Sequence, residues 1–163
     1  MKILRAILAG GLVAGTIDIG SAALINWIDP LIILRAIASG LLGRDAYRGG
    51  LPVSALGLGL QEAMSLIIAA IFVLAATRLP VLTRRWIAAG LAYGVGIYLV
   101  MTFIVVPLSA AVPKQHLTIE SVAENLLAML LFGVTVAGFT RRFGPHGLRL
   151  MNRRKAPHSQ ELR

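Results

Sequence analysis

Cysteine is absent from the 163 residues, which excludes disulfides, thiolate metal ligands and cysteine nucleophiles together. Charge is scarce as well: 14% of the chain is charged, against 57% hydrophobic, and the mean hydropathy is +0.80. A soluble domain needs more charge than that to cover its surface, so the composition fits a lipid solvent. Acid is the scarcer sign, with 7 Asp and Glu against 16 Lys and Arg. The net charge of +9 does not point to nucleic acid, because the basic residues fall between apolar runs and in the last stretch, where topology determinants belong. No Gly-rich phosphate loop and no Ser/His/Asp arrangement stands out, so the chain does not read as an enzyme. His116 falls in a loop and His146 and His158 in the tail, without ligand spacing. No metal site or other cofactor is therefore expected.

What the chain has is long apolar runs. The expected fold is all-α: a four-transmembrane-helix bundle with one short helix between the first and second spans. The spans are expected at about 6–27, 53–77, 84–107 and 119–140, each long enough to cross ~30 Å of hydrocarbon. Trp27 stands where an aromatic-belt residue would. Asp29-Pro30 has the form of a helix start, with Asp as N-cap and Pro at the first helical position. The segment 30–42 that follows is apolar but too short to span, so it reads as interfacial or re-entrant. Ser121-Val122-Ala123-Glu124 has capping-box spacing, and Thr118 offers a start one turn earlier. Residues 143–163 read as a basic tail that is disordered or lies on the membrane surface.

Lys2, Arg5, Arg78, Arg84, Arg85 and every Lys and Arg from Arg141 onward fall on one side of the expected membrane. Arg35, Arg44, Arg48 and Lys114 fall on the other. Positive residues stay inside, so both termini are expected in the cytoplasm. The first apolar run resembles a signal peptide only in part: Asp18 interrupts it, and it is read as a retained helix.

Small residues mark contact faces. Gly11 and Gly15 in the first span, and Gly90 and Gly94 in the third, have the four-residue spacing that lets helix backbones approach, and Gly57 and Gly59 lie in the second. Asp18 shares the face of Gly11 and Gly15, Glu62 is flanked by Gly59 and Ser65, and Tyr98 continues the stripe from Gly90 and Gly94. Asp18, Glu62 and Tyr98 each lie nine residues from the outer end of their span, ~13 Å deep at the helical rise. Together they suggest a mid-membrane polar layer, to which Gln61, Ser65, Thr16, Ser21 and Asn125 can add. Such carboxyls can serve as a proton-linked or solute-binding site, or simply as hydrogen-bonding groups that tie helices together.

Several segments carry a resemblance in order along nearly the whole chain. They are Ala14-Gly15-Thr16-Ile17-Asp18, Ile37 through Gly43, Tyr93-Gly94 through Tyr98 and Met101, Val106-Pro107-Leu108-Ser109, and the closing Arg141-Arg142-Phe143. In these the chain resembles a group of small uncharacterised four-helix proteins of the bacterial inner membrane, and more loosely the YagU-like proteins. The resemblance implies fold and location but no activity. Members of the group often place His at the positions of Gln61 and Ala128, and Pro at that of Thr135. This chain has instead Gln61, Ala128 and the added carboxyl of Glu62, which disfavours His-based metal or haem binding, while Asp18 matches the group pattern.

Two functions fit these features. The first is proton-linked or small-solute transport through the polar layer, which in so thin a bundle implies a homo-oligomer. The second is a non-catalytic accessory, scaffold or lipid-binding subunit of a larger membrane complex. Membrane lipids are partners in either case, and nucleic acid in neither.

Overall fold

The structure, a computed structural model, describes residues 2–111 and 118–144. The loop residues Pro113, Lys114 and His116, and the tail with His146 and His158, lie outside the described residues. The chain forms α1 (Lys2–Asn26), α2 (Pro30–Leu42) with a 3-10 turn at Gly43–Arg48, α3 (Leu51–Arg78), α4 (Val81–Arg84), α5 (Trp86–Val100), a π-helical turn at Met101–Val105, α6 (Val106–Leu108) and α7 (Ile119–Phe143). No strand occurs among the described residues. Lys2–Leu24, Leu51–Arg78, Trp86–Leu108 and Ile119–Phe143 are long and apolar enough to cross a membrane. The fold is an all-α bundle of four such helices with α2 inserted between the first two.

Local chemistry sets the boundaries. Trp27, 94% exposed, adopts a left-handed φ of 53° that ends α1. Asp29 Oδ1 accepts from the Leu31 N–H at 2.8 Å and Pro30 takes the first helical position, so α2 starts where the Asp-Pro pair directs it. Gly43 ends α2 with a φ of 61° that an L side chain rarely adopts. At α7 the cap is Thr118, not Ser121: the Ser121 N–H donates to Thr118 Oγ1 at 3.2 Å, and the Thr118 N–H donates back to Ser121 Oγ at 3.1 Å. The reciprocal pair satisfies two end donors, and the earlier start adds almost a turn to the helix. In the third span Pro107 has no N–H to offer the Phe103 carbonyl. The helix loosens just ahead of it, and the Val106 N–H reaches the carbonyl of Met101, five residues back.

Around the bundle α5 packs on α7, α7 on α1, and α1 on α3. The ring closes between α3 and α5 through side chains. Phe72 and Tyr93 meet at 5.0 Å between ring centroids, and the Tyr93 hydroxyl donates to the Ile68 carbonyl at 2.7 Å. The other seams are backbone-close, and glycine permits them. A Cβ added at Gly94 would stand 2.5 Å from the Met129 carbonyl oxygen and 2.8 Å from Leu130 Cα. Gly133 faces the Gly90 carbonyl and Gly94 from the opposite helix. On α1, Gly11 abuts Leu66 and the Ser65 carbonyl, and Gly15 abuts Ser65. Gly57 gives α3 room for the Leu34 carbonyl of α2, whereas Gly59, expected on a contact face, meets nothing within 4 Å. α2 is tied at its far end too, where the Ala110 N–H donates to the Gly40 carbonyl at 3.0 Å.

Packing divides the bundle into two halves. Ala14, Ala69, Phe72, Ile97, Phe132, Val136 and Ala137 form one apolar cluster towards the end that holds the chain's N-terminus. Beyond it burial within the four long helices stops at a similar level, apart from Ser54 and Gly57 of α3, which lie against α2. Among the described side chains α1 has no buried residue after Gly15, α5 none after Ile97, and α7 none before Phe132. On α3 none is buried between Gly57, which meets α2, and Ser65. One half is tight; the half beneath α2 is loose.

Gly94→Ala should cost ~1–3 kcal/mol by forcing α5 and α7 apart. Gly96→Ala, two residues on with nothing within 4 Å, should be neutral or stabilising by up to ~1 kcal/mol. Equilibrium unfolding in mixed micelles compares the two, and an equal effect would remove the α5–α7 seam as the reason.

Candidate functional site

The level at which packing loosens is also where polar side chains meet. Antiparallel contact of α1 with α3 sets Gly15 beside Ser65, so one turn further along α1 Asp18 comes level with Gln61 and Glu62. The Gln61 amide Nε2 donates to Asp18 Oδ2 at 2.8 Å. This is a side-chain bond between two of the long apolar helices, the kind of polar tie that holds helices together in lipid. Ser65 is 2% exposed and lies against Gly15; a Cβ on that glycine would meet Ser65 Oγ at 2.6 Å and Glu62 Oε1 at 3.3 Å. Gly15 is thus small because the carboxyl and the hydroxyl occupy the space.

Gln61 and Glu62 are neighbours in sequence, so they leave α3 about 100° apart. Gln61 turns towards Asp18, on the same side of α3 as Ile68, which accepts from Tyr93 of α5. Glu62 turns into the α1–α3 seam, where its Oε1 lies against Gly15. Its Oε2 is buried and has no hydrogen-bond partner among the described residues. The two carboxyls lie on one seam, Asp18 paired through Oδ2 and Glu62 with its Oε2 unpartnered among the described residues.

The remaining expected members take other partners. Thr16 Oγ1 donates to the Leu12 carbonyl at 2.8 Å, Ser21 Oγ to that of Asp18 at 2.9 Å, and Asn125 Nδ2 to that of Ser121 at 2.7 Å. All three serve their own helix, as short polar side chains do in lipid. Tyr98 is half-buried and makes no side-chain hydrogen bond among the described residues. The reason is periodicity: each four-residue step overshoots a helical turn by about 40°, so Tyr98 has rotated off the line through Gly90 and Gly94. Tyr93 is the tyrosine that crosses to α3.

Two features were not expected from sequence. Ser54, Leu58 and Ser65 share one face of α3. Ser54 and Ser65 are each 2% exposed, yet Leu58 between them is 44% exposed. The face opens at Leu58, directly outward of Asp18 and Gln61. Above the opening Arg35 of α2 donates from Nε to Ser54 Oγ at 3.4 Å, so a half-buried guanidinium stands over the polar level. Only the break in burial reveals this, and burial depends on how α2 docks. Among the described residues no group of His, Asp or Glu could hold a metal ion.

Comparison with known proteins brings no match: no family model fits the chain, and no curated protein or solved structure matches it.

Gln61→Leu should destabilise the bundle by ~1–2 kcal/mol by stranding the Asp18 carboxyl. A double-mutant cycle with Asp18→Ala and Gln61→Leu should give a coupling of about 0.6 kcal/mol, and zero coupling would mean the bond contributes nothing to folding.

Proposed function

We propose that this chain is a proton-linked or small-solute transport protein of the bacterial inner membrane, with both termini in the cytoplasm and Asp18 as its central binding group. The observation that carries the reading is the coincidence of two boundaries. Packing loosens after Gly15, Ile97 and Ser65, and the Asp18–Gln61 pair lies immediately beyond, beneath the opening at Leu58. Carboxyls at that depth cost several kcal/mol unless paired, wet or neutralised, which makes them functional by default. Asp18 is paired and borders an open face; Glu62 adds a second acid without a partner for one oxygen. The spans carry no lysine or arginine at this level, so the two carboxyls attract a proton or a small cation, with the Arg35 guanidinium standing on their outward side.

Entry is from the α2 end. The opposite half is blocked by Ala14, Phe72, Ile97, Phe132 and Val136, an apolar plug that excludes water and ions. Passage then takes a movement of the plug, or a path shared between copies of the chain in a homo-oligomer. The resemblance to small inner-membrane proteins with histidine at the position of Gln61 agrees with a site at this level. The Lys/Arg asymmetry supports the orientation, because the plugged end is the basic end.

One observation favours a second reading, an accessory subunit within a larger complex. Ala55, Gly59 and Ala63 form an exposed small-residue line on α3, and a Cβ added at Gly59 would meet nothing within 4 Å. A partner helix would pack closely there.

In proteoliposomes loaded with a pH-sensitive dye, Asp18→Asn should reduce proton or cation flux to background while the unfolding midpoint stays close to that of the parent, since Asn keeps a bond to Gln61. Full flux in the variant sinks the transport reading. The absence of cysteine allows a second check with single-cysteine variants. Leu58→Cys should react with a membrane-impermeant maleimide from the α2 side only, whereas Ala69→Cys in the plug should stay unreactive. Equal reactivity at both would mean that packing does not divide the bundle.

A further inference from the structure

The end of the bundle opposite α2 is a charged surface of one sign. Arg5, Arg78, Arg84, Arg85, Arg141 and Arg142 all lie exposed there, from α1, α3, the α4–α5 elbow and the end of α7. No Asp or Glu among the described residues accompanies them. The other end mixes signs, with Asp29, Asp45, Glu120 and Glu124 beside Arg35, Arg44 and Arg48. A topology signal needs only the presence of the charges. The structure adds an ordered placement. The Trp86 ring stands against α7, where a Cβ on Gly138 would meet its Cζ3 at 3.4 Å. The Arg141 guanidinium lies over that ring, 5.5 Å from the centroid. This cation–π contact holds one arginine at the mouth of the α5–α7 seam, beside Arg84 and Arg85.

Directly below, the outer side of that seam is apolar and uncovered. Leu91 and Val95 follow one another along α5 at helical spacing, as do Leu127 and Leu131 along α7, and all are exposed. Because α5 and α7 touch through Gly90, Gly94 and Gly133, these larger side chains border a shallow furrow running away from Trp86. Tryptophan and arginine at the end of an apolar span sit at headgroup level, where tryptophan accepts an interfacial position and arginine pairs with phosphate through its fixed fork of donors.

We propose that this end binds an anionic phospholipid, its headgroup phosphate held by Arg84, Arg85 and Arg141 around Trp86 and one acyl chain lying in the α5–α7 furrow. Charge complementarity selects the occupant: a zwitterionic lipid brings an ammonium into a cluster that has no acid to receive it. The furrow selects a lipid over a free anion, because only a lipid covers Leu91, Val95, Leu127 and Leu131 while its phosphate reaches the arginines. The site is independent of Asp18 and of any transport activity.

The test uses Trp86 as its own reporter. The chain has 2 tryptophans, so Trp27→Phe, at a 94% exposed position, leaves Trp86 alone. In bilayers containing brominated phosphatidylglycerol or brominated phosphatidylcholine, Trp86 should be quenched preferentially by the anionic lipid. The expected association ratio is about 5 or more, the contribution of a single well-placed arginine. Combined Arg84→Gln, Arg85→Gln and Arg141→Gln should bring the ratio near one while quenching by phosphatidylcholine persists, which reports that the protein is still folded and inserted. Arg44→Gln with Arg48→Gln, at the other end, should leave the ratio unchanged. A parent ratio near one, a ratio indifferent to the triple variant, or an equal loss in the distal pair overturns the proposal. Collapse of the ratio on adding inorganic phosphate at matched ionic strength also overturns it, and assigns the arginines to a free anion instead.

Discussion

In hydrocarbon an apolar side chain gains nothing from water exclusion by moving from lipid to another helix, so a membrane bundle must find its cohesion in close approach. Here that approach is backbone against backbone. Gly90 and Gly94 of α5 meet Gly133 of α7, Gly11 and Gly15 of α1 meet α3, and Gly57 admits the carbonyl of Leu34. Each glycine gives up a side chain to bring several neighbours into van der Waals range, where many weak contacts sum. Remove that closeness and neither the polar pair nor the plug has a fixed geometry.

The unequal packing of the two halves follows from where the glycines and aromatics fall. The glycine contacts between spans and the large apolar side chains Phe72, Phe132 and Trp86 belong to the tight half. Beyond Gly15 the helices carry Asp18, Gln61, Glu62 and Tyr98, which cannot interdigitate as hydrocarbons do. Polar chemistry and loose packing therefore coincide for one reason. The Asp18–Gln61 bond is the first tie past the last close contact, and it holds α1 to α3 where sterics no longer does.

Most of this fold was legible in the sequence. Four apolar runs of spanning length, the Asp29-Pro30 start and the terminating Gly43 are local signals, and the structure places helices accordingly. The contact glycines Gly11, Gly15, Gly90 and Gly94 were equally local. The candidate site was legible in part. Asp18, Gln61, Glu62 and Ser65 meet because an antiparallel pair with one glycine contact has only one register. Tyr98 was placed by stepping in fours along a helix that repeats every 3.6 residues, and the drift decides against that alignment. The openness at Leu58, the Arg35–Ser54 contact and the stacking of Arg141 on Trp86 join residues 19 to 55 positions apart, which no periodicity encodes.

The docking of α2 has a consequence for how the protein is made. A 13-residue helix cannot cross the bilayer, and its secure seats both lie later in the chain: Gly57 on α3 and the Ala110 N–H past the third span. Neither contact can form before the later residue of each has been added to the chain, and the clasp to Ala110 becomes available only after the third long helix. The tight half, by contrast, is completed by α7 sliding its glycine face onto α5 and α1. The polar level thus acquires its roof before its floor is finished, and α7, which follows α5 in the chain, is the helix that seals the base.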